Sequence, residues 1–225
     1  MVDISDSDRP DETVKLSASN LVRASPGDEQ WTSPSLIAFW AAGAQVCAFD
    51  RQRYDSCFQV NDAMFAGSEG LVLKPAAFRS GGSGSLDVGK QRRFILHIAG
   101  VSDLPSQAGE DLKPFISATI DHPVDGSKKQ KTSKSTSPSP KDPVFHEKLE
   151  WVFDSNELTF LRILIKSKDD ALAVAAVRLS YVVPGWRFLR MKDLAGRETD
   201  CTMLVKIEVN DVIKFKTKAM PGWGS

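Results

Sequence analysis

A chain of 225 residues with 41% hydrophobic and 26% charged residues has the make-up of an ordinary globular protein of one or two domains. Its 29 basic and 29 acidic residues cancel, which excludes an overall field steering it to nucleic acid or to a membrane and leaves local charge to decide. The 3 cysteines, Cys47, Cys57 and Cys201, are odd in number and lack metal-site spacing, so buried free thiols in a reducing cytosol are expected.

In chain order, residues 1–19 are rich in Asp, Ser and Thr with little to bury, and disorder is expected there. The start shows no secretory pattern. The longest apolar run, Leu36 to Phe49, is shorter than the roughly 20 residues a spanning helix needs and contains Gly43 and Gln45. It reads as core. Ala44 to Phe49 predicts a short strand. Ser56 to Ala66 carries Cys57, Val60 and Met64 at helical spacing and stops at Gly67, a good left-handed cap. Leu71-Val72-Leu73, closed by Pro75, predicts a second strand. Apolar runs without alternation suit a parallel sheet buried on both faces, and a helix between them makes a right-handed crossover. Residues 80–89, Gly- and Ser-rich, read as a flexible linker. From Arg92 the pattern changes to about eight short strands separated by turns, among them Phe94–Ile98, Phe115–Ile120 and Phe145–Phe153, which argues an antiparallel β-sandwich.

Several blocks carry a resemblance. Phe39-Trp40-Ala41-Ala42-Gly43-Ala44-Gln45-Val46, Val60-Asn61-Asp62-Ala63-Met64-Phe65 and Gly70-Leu71-Val72-Leu73-Lys74-Pro75 with Arg79 stand in the order seen at the end of the Y half of the eukaryotic phosphoinositide-specific phospholipase C barrel. The family's Leu-Asn-x-Gln-Thr appears as Phe49-Asp50-Arg51-Gln52-Arg53, and its Tyr before Val-Leu-Lys-Pro is Leu71. Farther on, Leu96 to Pro105, Lys113-Pro114-Phe115, Asp142 to Glu147, Leu158 to Ile165 and Pro184 to Phe188 resemble the C2 domain that follows that barrel. The resemblance implies an α+β chain in two parts: the terminal βα units of a TIM-type barrel, then an eight-stranded antiparallel β-sandwich. Its divisions are 1–19 disordered, 20–79 a partial Y-box barrel segment, 80–89 linker, 90–212 C2 domain and 213–225 a C-terminal tail.

The family reaction is hydrolysis of phosphatidylinositol 4,5-bisphosphate to diacylglycerol and inositol trisphosphate, a lipid-signalling step. Its two catalytic histidines and its Ca²⁺ ligands lie in the X half of the barrel, and nothing here matches them. His97, His122 and His146 fall in the sandwich. No catalytic residue is therefore assigned, and the polypeptide alone is expected to be inactive and to need no cofactor. Of the family's headgroup-contacting Arg and Tyr, Arg23 is retained and the Tyr is Ser25. An Arg suits a phosphate through bidentate charge-assisted bonds, although an ordinary surface arginine fits the same letters. At the calcium-binding end of a C2 domain, the family acid positions hold Lys113, Ser167 and Asp169, so no metal site is assigned; Asp103, Asp169 and Asp170 are the weak candidates. The stretch Ser127 to Lys141 carries Lys128, Lys129, Lys131 and Lys134 with no acid among them. It reads either as a solvated loop tethered by Ser-Pro-Ser-Pro or as a patch for anionic phospholipids or phosphoinositides. The reading is thus a cytoplasmic chain with peripheral membrane association. Its partners would be anionic lipid and a complementary barrel half or recruited protein, not nucleic acid. A non-catalytic C2 module is the alternative to a phospholipase C portion. The barrel segment, with unpaired strand edges, is expected to be poorly protected beside an independently folded sandwich.

Overall fold

The computed structural model describes residues 2–4, 10–25, 35–86, 90–105 and 112–212. The predicted tail, 213–225, lies outside the described residues.

The first part is a small parallel sheet with helices. Strands β1 (Val2–Ile4), β2 (Val22–Ala24) and β3 (Val46–Cys47) pair in that order, all parallel, with Val2 opposite Val22 and Arg23 opposite Val46. Helix α1 (Pro10–Ser17) joins β1 to β2, and α2 (Leu36–Ala41) lies between β2 and β3. Within 1–19, where disorder was expected, the described residues form β1 and α1. Thr13, Val14 and Ser17, three or four residues apart, give α1 one buried stripe in spite of its polar composition. Helix α3 (Ser56–Phe65) forms where predicted. Asp55 caps it, its carboxylate accepting the N–H groups of Cys57 and Phe58 at 2.9 and 3.1 Å. Gly67 follows at φ +70°.

The second predicted strand, Leu71–Leu73, is not one. The segment runs without a ladder, and Leu71 and Leu73 are exposed, because no described strand lies beside it. It is held instead through polar side chains. Lys74 Nζ donates to the carbonyl of Ser17 at the end of α1, and Arg79 Nε donates to Lys74 O at 2.7 Å. A cation at a helix C-terminus meets carbonyls that have no helical partner. Gln45 ties the other side: its Oε1 accepts Val22 N–H at 2.8 Å, and its Nε2 donates to Ser17 O at 3.1 Å. Gly43, at φ +85°, lets α1 approach, since a Cβ there would lie 2.2 Å from Ser17 Oγ. Much of the resembled barrel motif is thus explained as a set of ties to α1. Ser80 to Leu86, expected to be a flexible linker, makes turns: Gly84 N–H donates to Ala77 O at 2.9 Å, and Leu86 packs on the first part's core.

The second part is an eight-stranded antiparallel sandwich. One sheet runs β6 (Gly126–Lys131), β5 (Pro114–His122), β8 (Phe160–Ser167), β9 (Asp170–Arg178); the other runs β10 (Gly185–Lys192), β11 (Glu198–Asp211), β4 (Gln91–Ser102), β7 (Val144–Asp154). A single pairing, Lys192 with Val174, joins them. Alternate residues fill the space between: Leu96 and Ile98, Ile116 and Ile120, Leu149 and Trp151, Ile163 and Ile165, Met203 and Val205.

The two parts are not separate bodies. Leu158 and Phe160, at the start of β8, are fully buried in the core built by Trp40, Cys57, Val60, Ala63, Met64 and Phe78. The Trp40 and Phe160 ring centroids are 5.9 Å apart. Beside this apolar seam, Tyr54 donates from its hydroxyl to Asp62 Oδ2 at 2.9 Å, and Lys192 Nζ reaches the same oxygen at 2.8 Å. Burial, then the carboxylate of Asp62, push the Tyr54 phenol up to about 12. Burial alone would lower Lys192, but its bond to Asp62 and the neighbouring Tyr54 hold it above its ordinary value. Gly196 lies flat against Tyr54, where a Cβ would come within 2.7 Å of the ring. The barrel segment packs its apolar surface on the outer face of β8 and β9. Cys57 and Cys201 are buried and Cys47 partly so, and burial pushes all three thiols up to about 12.

Candidate functional site

Two surfaces carry the residues singled out from the sequence. The first is the end of β2. Val22 and Ala24 point into the core at 0% exposure, and alternation turns Arg23 between them to the exposed side. Ser25, half-buried, follows at the C-terminal end of the parallel strand. In α/β architectures that end is where ligands are met.

The second surface is the edge of the sandwich. The lysine-rich stretch is a strand rather than a loop over Gly126–Lys131, and Lys134 stands in the connection that follows. The cause is a hairpin: Gly126, at φ +69° after Asp125, turns β5 back into β6, so Thr119 faces Lys129 and Ser117 faces Lys131. The far edge of β6 is closed by side chains. Trp151 Nε1 donates to Lys128 O at 2.9 Å, and the Gln130 amide bonds the main chain of Glu150 in both directions. Lys128, Lys129, Lys131 and Lys134 are all exposed. Lys128 pairs with Asp125 at 2.8 Å, which also holds the Asp125 carboxyl below its usual value, while Lys131 lies 5.5 Å from the centre of the Phe115 ring. The strand therefore presents a row of ammonium groups, one of them compensated.

At the adjoining end of the sandwich lie the residues just after β4 and just before β5, the connection 132–143, and the β8–β9 turn at Lys168-Asp169. Lys113 N–H donates to the buried Ser167 Oγ at 3.1 Å, Leu104 N–H to Lys141 O at 2.9 Å, and Asp103 N–H to Asp142 Oδ1 at 3.2 Å. Asp103, Asp169 and Asp170 are exposed, as is Lys113. Among the described residues no three His, Cys, Asp or Glu side chains gather as a cation site.

The histidines have separate duties. His122 is buried; its Nδ1 accepts the N–H groups of Val124 and Asp125, which holds the β5–β6 turn. His97 Nε2 lies 3.2 Å from Glu208. His146 shares with His97, Lys148 and Trp186 a shallow cleft on the outer face of β4 and β7. What the sequence reading missed is the Tyr54–Asp62–Lys192 cluster. Asp62 and Lys192 are 130 residues apart, and no local pattern joins them.

The structure is thus a parallel βα segment docked on an antiparallel sandwich with a basic edge. The comparisons sharpen this. Residues 2–77 match the family described as phosphatidylinositol-specific phospholipase C, Y domain, and residues 92–185 match the C2 domain. The chain thus carries a match to that phospholipase C Y domain followed by a match to the C2 domain. Among curated proteins it is 26% identical over 195 residues to mouse 1-phosphatidylinositol 4,5-bisphosphate phosphodiesterase eta-1, covering 78% of this chain and 11% of the relative. It is 24% identical over 258 residues to 1-phosphatidylinositol 4,5-bisphosphate phosphodiesterase 1 of Candida albicans, covering 92% and 24%. The chain thus spans about a tenth to a quarter of the length of these relatives. The crystal structure of PLC21 from L. pealei superposes with a TM-score of 0.80 at 18% identity, over 96% of this chain and 30% of that one; PLC21 from S. officinalis gives 0.79 at 19%, with the same coverage. These establish the shared fold. No described helix is long and apolar enough to cross a membrane.

Proposed function

We propose that this chain is the membrane-facing C-terminal portion of a phosphoinositide phospholipase C, binding anionic lipid through β6 without calcium and contributing no acid–base group to hydrolysis. The observation that carries the reading is the four exposed lysines Lys128, Lys129, Lys131 and Lys134 on the edge strand β6 and the connection after it. At about 1 kcal/mol per basic residue near an anionic leaflet, and with Lys128 already paired, the row supplies roughly 3 kcal/mol, about a hundredfold partitioning. Calcium does not fit the tip. Lys113 occupies an acid position, Ser167 is buried with its oxygen engaged, and Asp169 and Asp170 directly follow Lys166 and Lys168 in the chain. A hard divalent cation needs six or more oxygen ligands, and added cations oppose it. Arg23 and Ser25, at the C-terminal end of β2, are the residues proposed to meet a headgroup phosphate when the barrel is complete. The barrel segment has no histidine, which supports reading the acid and base of the family reaction as supplied from elsewhere. A complementary barrel half or another protein partner is the implied source.

The test is co-sedimentation with vesicles of phosphatidylcholine, with and without phosphatidylserine, at low and moderate salt, with Ca²⁺ and with chelator. Binding is expected only with the anionic lipid, to weaken with salt because exposed charges are screened over about 8–10 Å, and to be indifferent to chelator. Replacing the four lysines by glutamine is expected to remove most of the affinity while leaving the unfolding midpoint in place. A quadruple variant that sediments like the parent overturns the lipid reading, and binding lost in chelator overturns its calcium independence.

A further inference from the structure

The function proposed above leaves one motif unused: Ser137-Pro138-Ser139-Pro140, in the connection between β6 and β7. Its two prolines are exposed and its two serines half-buried. Both hydroxyls turn onto one residue. Ser139 Oγ donates to Asp142 Oδ2 at 2.9 Å and accepts Asp142 N–H at 3.2 Å, and Ser137 Oγ donates to Asp142 O at 3.4 Å. The other carboxylate oxygen, Oδ1, accepts the N–H of Asp103, which sits at φ +54° at the end of β4. Asp142 is therefore a latch between two tip connections, and the Ser-Pro serines hold it closed.

A serine followed by proline on a surface connection is the form that proline-directed protein kinases accept, and here both prolines are exposed. We propose that Ser139, with Ser137 as a second acceptor, is a phosphorylation site whose modification opens the Asp142 latch and discharges the lysine edge. In the reaction Ser139 Oγ bonds to the γ-phosphorus of a nucleoside triphosphate. The bond to the bridging oxygen breaks, the nucleoside diphosphate leaves, and the hydroxyl proton passes to the kinase. The product cannot donate to Asp142 Oδ2 and repels it, so the hold on Asp103 N–H is lost with it. Each phosphate adds about −1.5 to −2 charges near pH 7. Two of them offset most of the charge of Lys128, Lys129, Lys131, Lys134 and Lys141, which stand on the same strand and connection. The lipid half of the inference rests on the function proposed above; the latch does not.

The experiment treats the full chain with a proline-directed kinase and ATP and locates phosphate by mass spectrometry. Amide exchange at Asp103 is then read by NMR, and binding to phosphatidylserine vesicles is measured before and after. Phosphate is expected at Ser139, with exchange at Asp103 at least about tenfold faster and vesicle binding at least about tenfold weaker. The Ser137→Ala, Ser139→Ala double variant should resist the kinase. Failure to modify either serine while a Ser-Pro control peptide is consumed overturns the site. Phosphate at Ser139 with unchanged exchange at Asp103 overturns the latch. Modified chain binding vesicles as before overturns the discharge of the edge. If the unmodified chain ignores the vesicles, the lipid reading falls together with that discharge, and the exchange measurement still decides the latch.

Discussion

Phe160→Ala is the sharpest probe of the seam between the two parts. Phe160 is at 0% exposure, 5.9 Å from the Trp40 ring, and it belongs to the barrel segment's core although it begins a strand of the sandwich. Truncating a buried phenylalanine costs about 3–5 kcal/mol, transfer and cavity together. A whole domain is stable by only about 5–15 kcal/mol. Phe160 is among the largest side chains in the barrel segment's small core, so that segment should feel most of the loss. The β4–β11 sandwich keeps its own inner core of Leu96, Ile116, Ile163 and Met203, which Phe160 does not enter. The assay is urea unfolding followed by tryptophan emission, with hydrogen exchange on the same samples. The expected result is a lower midpoint and amides of α2 and α3 that exchange many times faster, while β4, β5 and β11 stay protected. Protection of α2 and α3 equal to the parent, with a midpoint shifted by less than the equivalent of about 1 kcal/mol, would refute the docking argument.

Tyr54 should ionise late: the phenolate absorbance missing from a Tyr54→Phe variant is expected near pH 12, and its appearance near pH 10 would contradict the burial and the Asp62 contact. Because the folded value is raised above the unfolded one, the stability this group contributes is fully present below about pH 10 and is lost as pH rises toward about 12. Gly43→Ala is expected to lower the urea midpoint by the equivalent of at least about 1–2 kcal/mol, since φ is +85° and the new Cβ meets Ser17; an unchanged midpoint would show that α1 is not held there. Lys74→Met should loosen the end of α1 by about 1 kcal/mol, read as faster exchange at Ala18 and Ser19. The purified 225-residue polypeptide is expected to release no inositol trisphosphate from phosphatidylinositol 4,5-bisphosphate above a protein-free blank, with Ca²⁺ present; release above that blank would mean an acid–base pair exists within it.

The sequence by itself determined the two-part order, helix α3 with its Gly67 stop, and the sandwich strands whose alternation is read residue by residue, as in Leu149, Trp151 and Phe153. These are local signals, carried by spacing and by caps a few residues away. Arg23 was legible only through the family resemblance; the strand that carries it, β2, was not read from the spacing. The tertiary structure decided what depends on distant partners. Helix α1 forms from a polar segment because Thr13, Val14 and Ser17 find a core to face. Leu71–Leu73 stays without a ladder because no described strand lies beside it, and the lysine stretch becomes a strand because β5 offers it an edge. The docking of the barrel segment rests on Phe160 meeting Trp40 and on Lys192 meeting Asp62, pairs more than a hundred residues apart. Periodicity tells which face of an element is apolar; only the folded chain decides which surface covers that face.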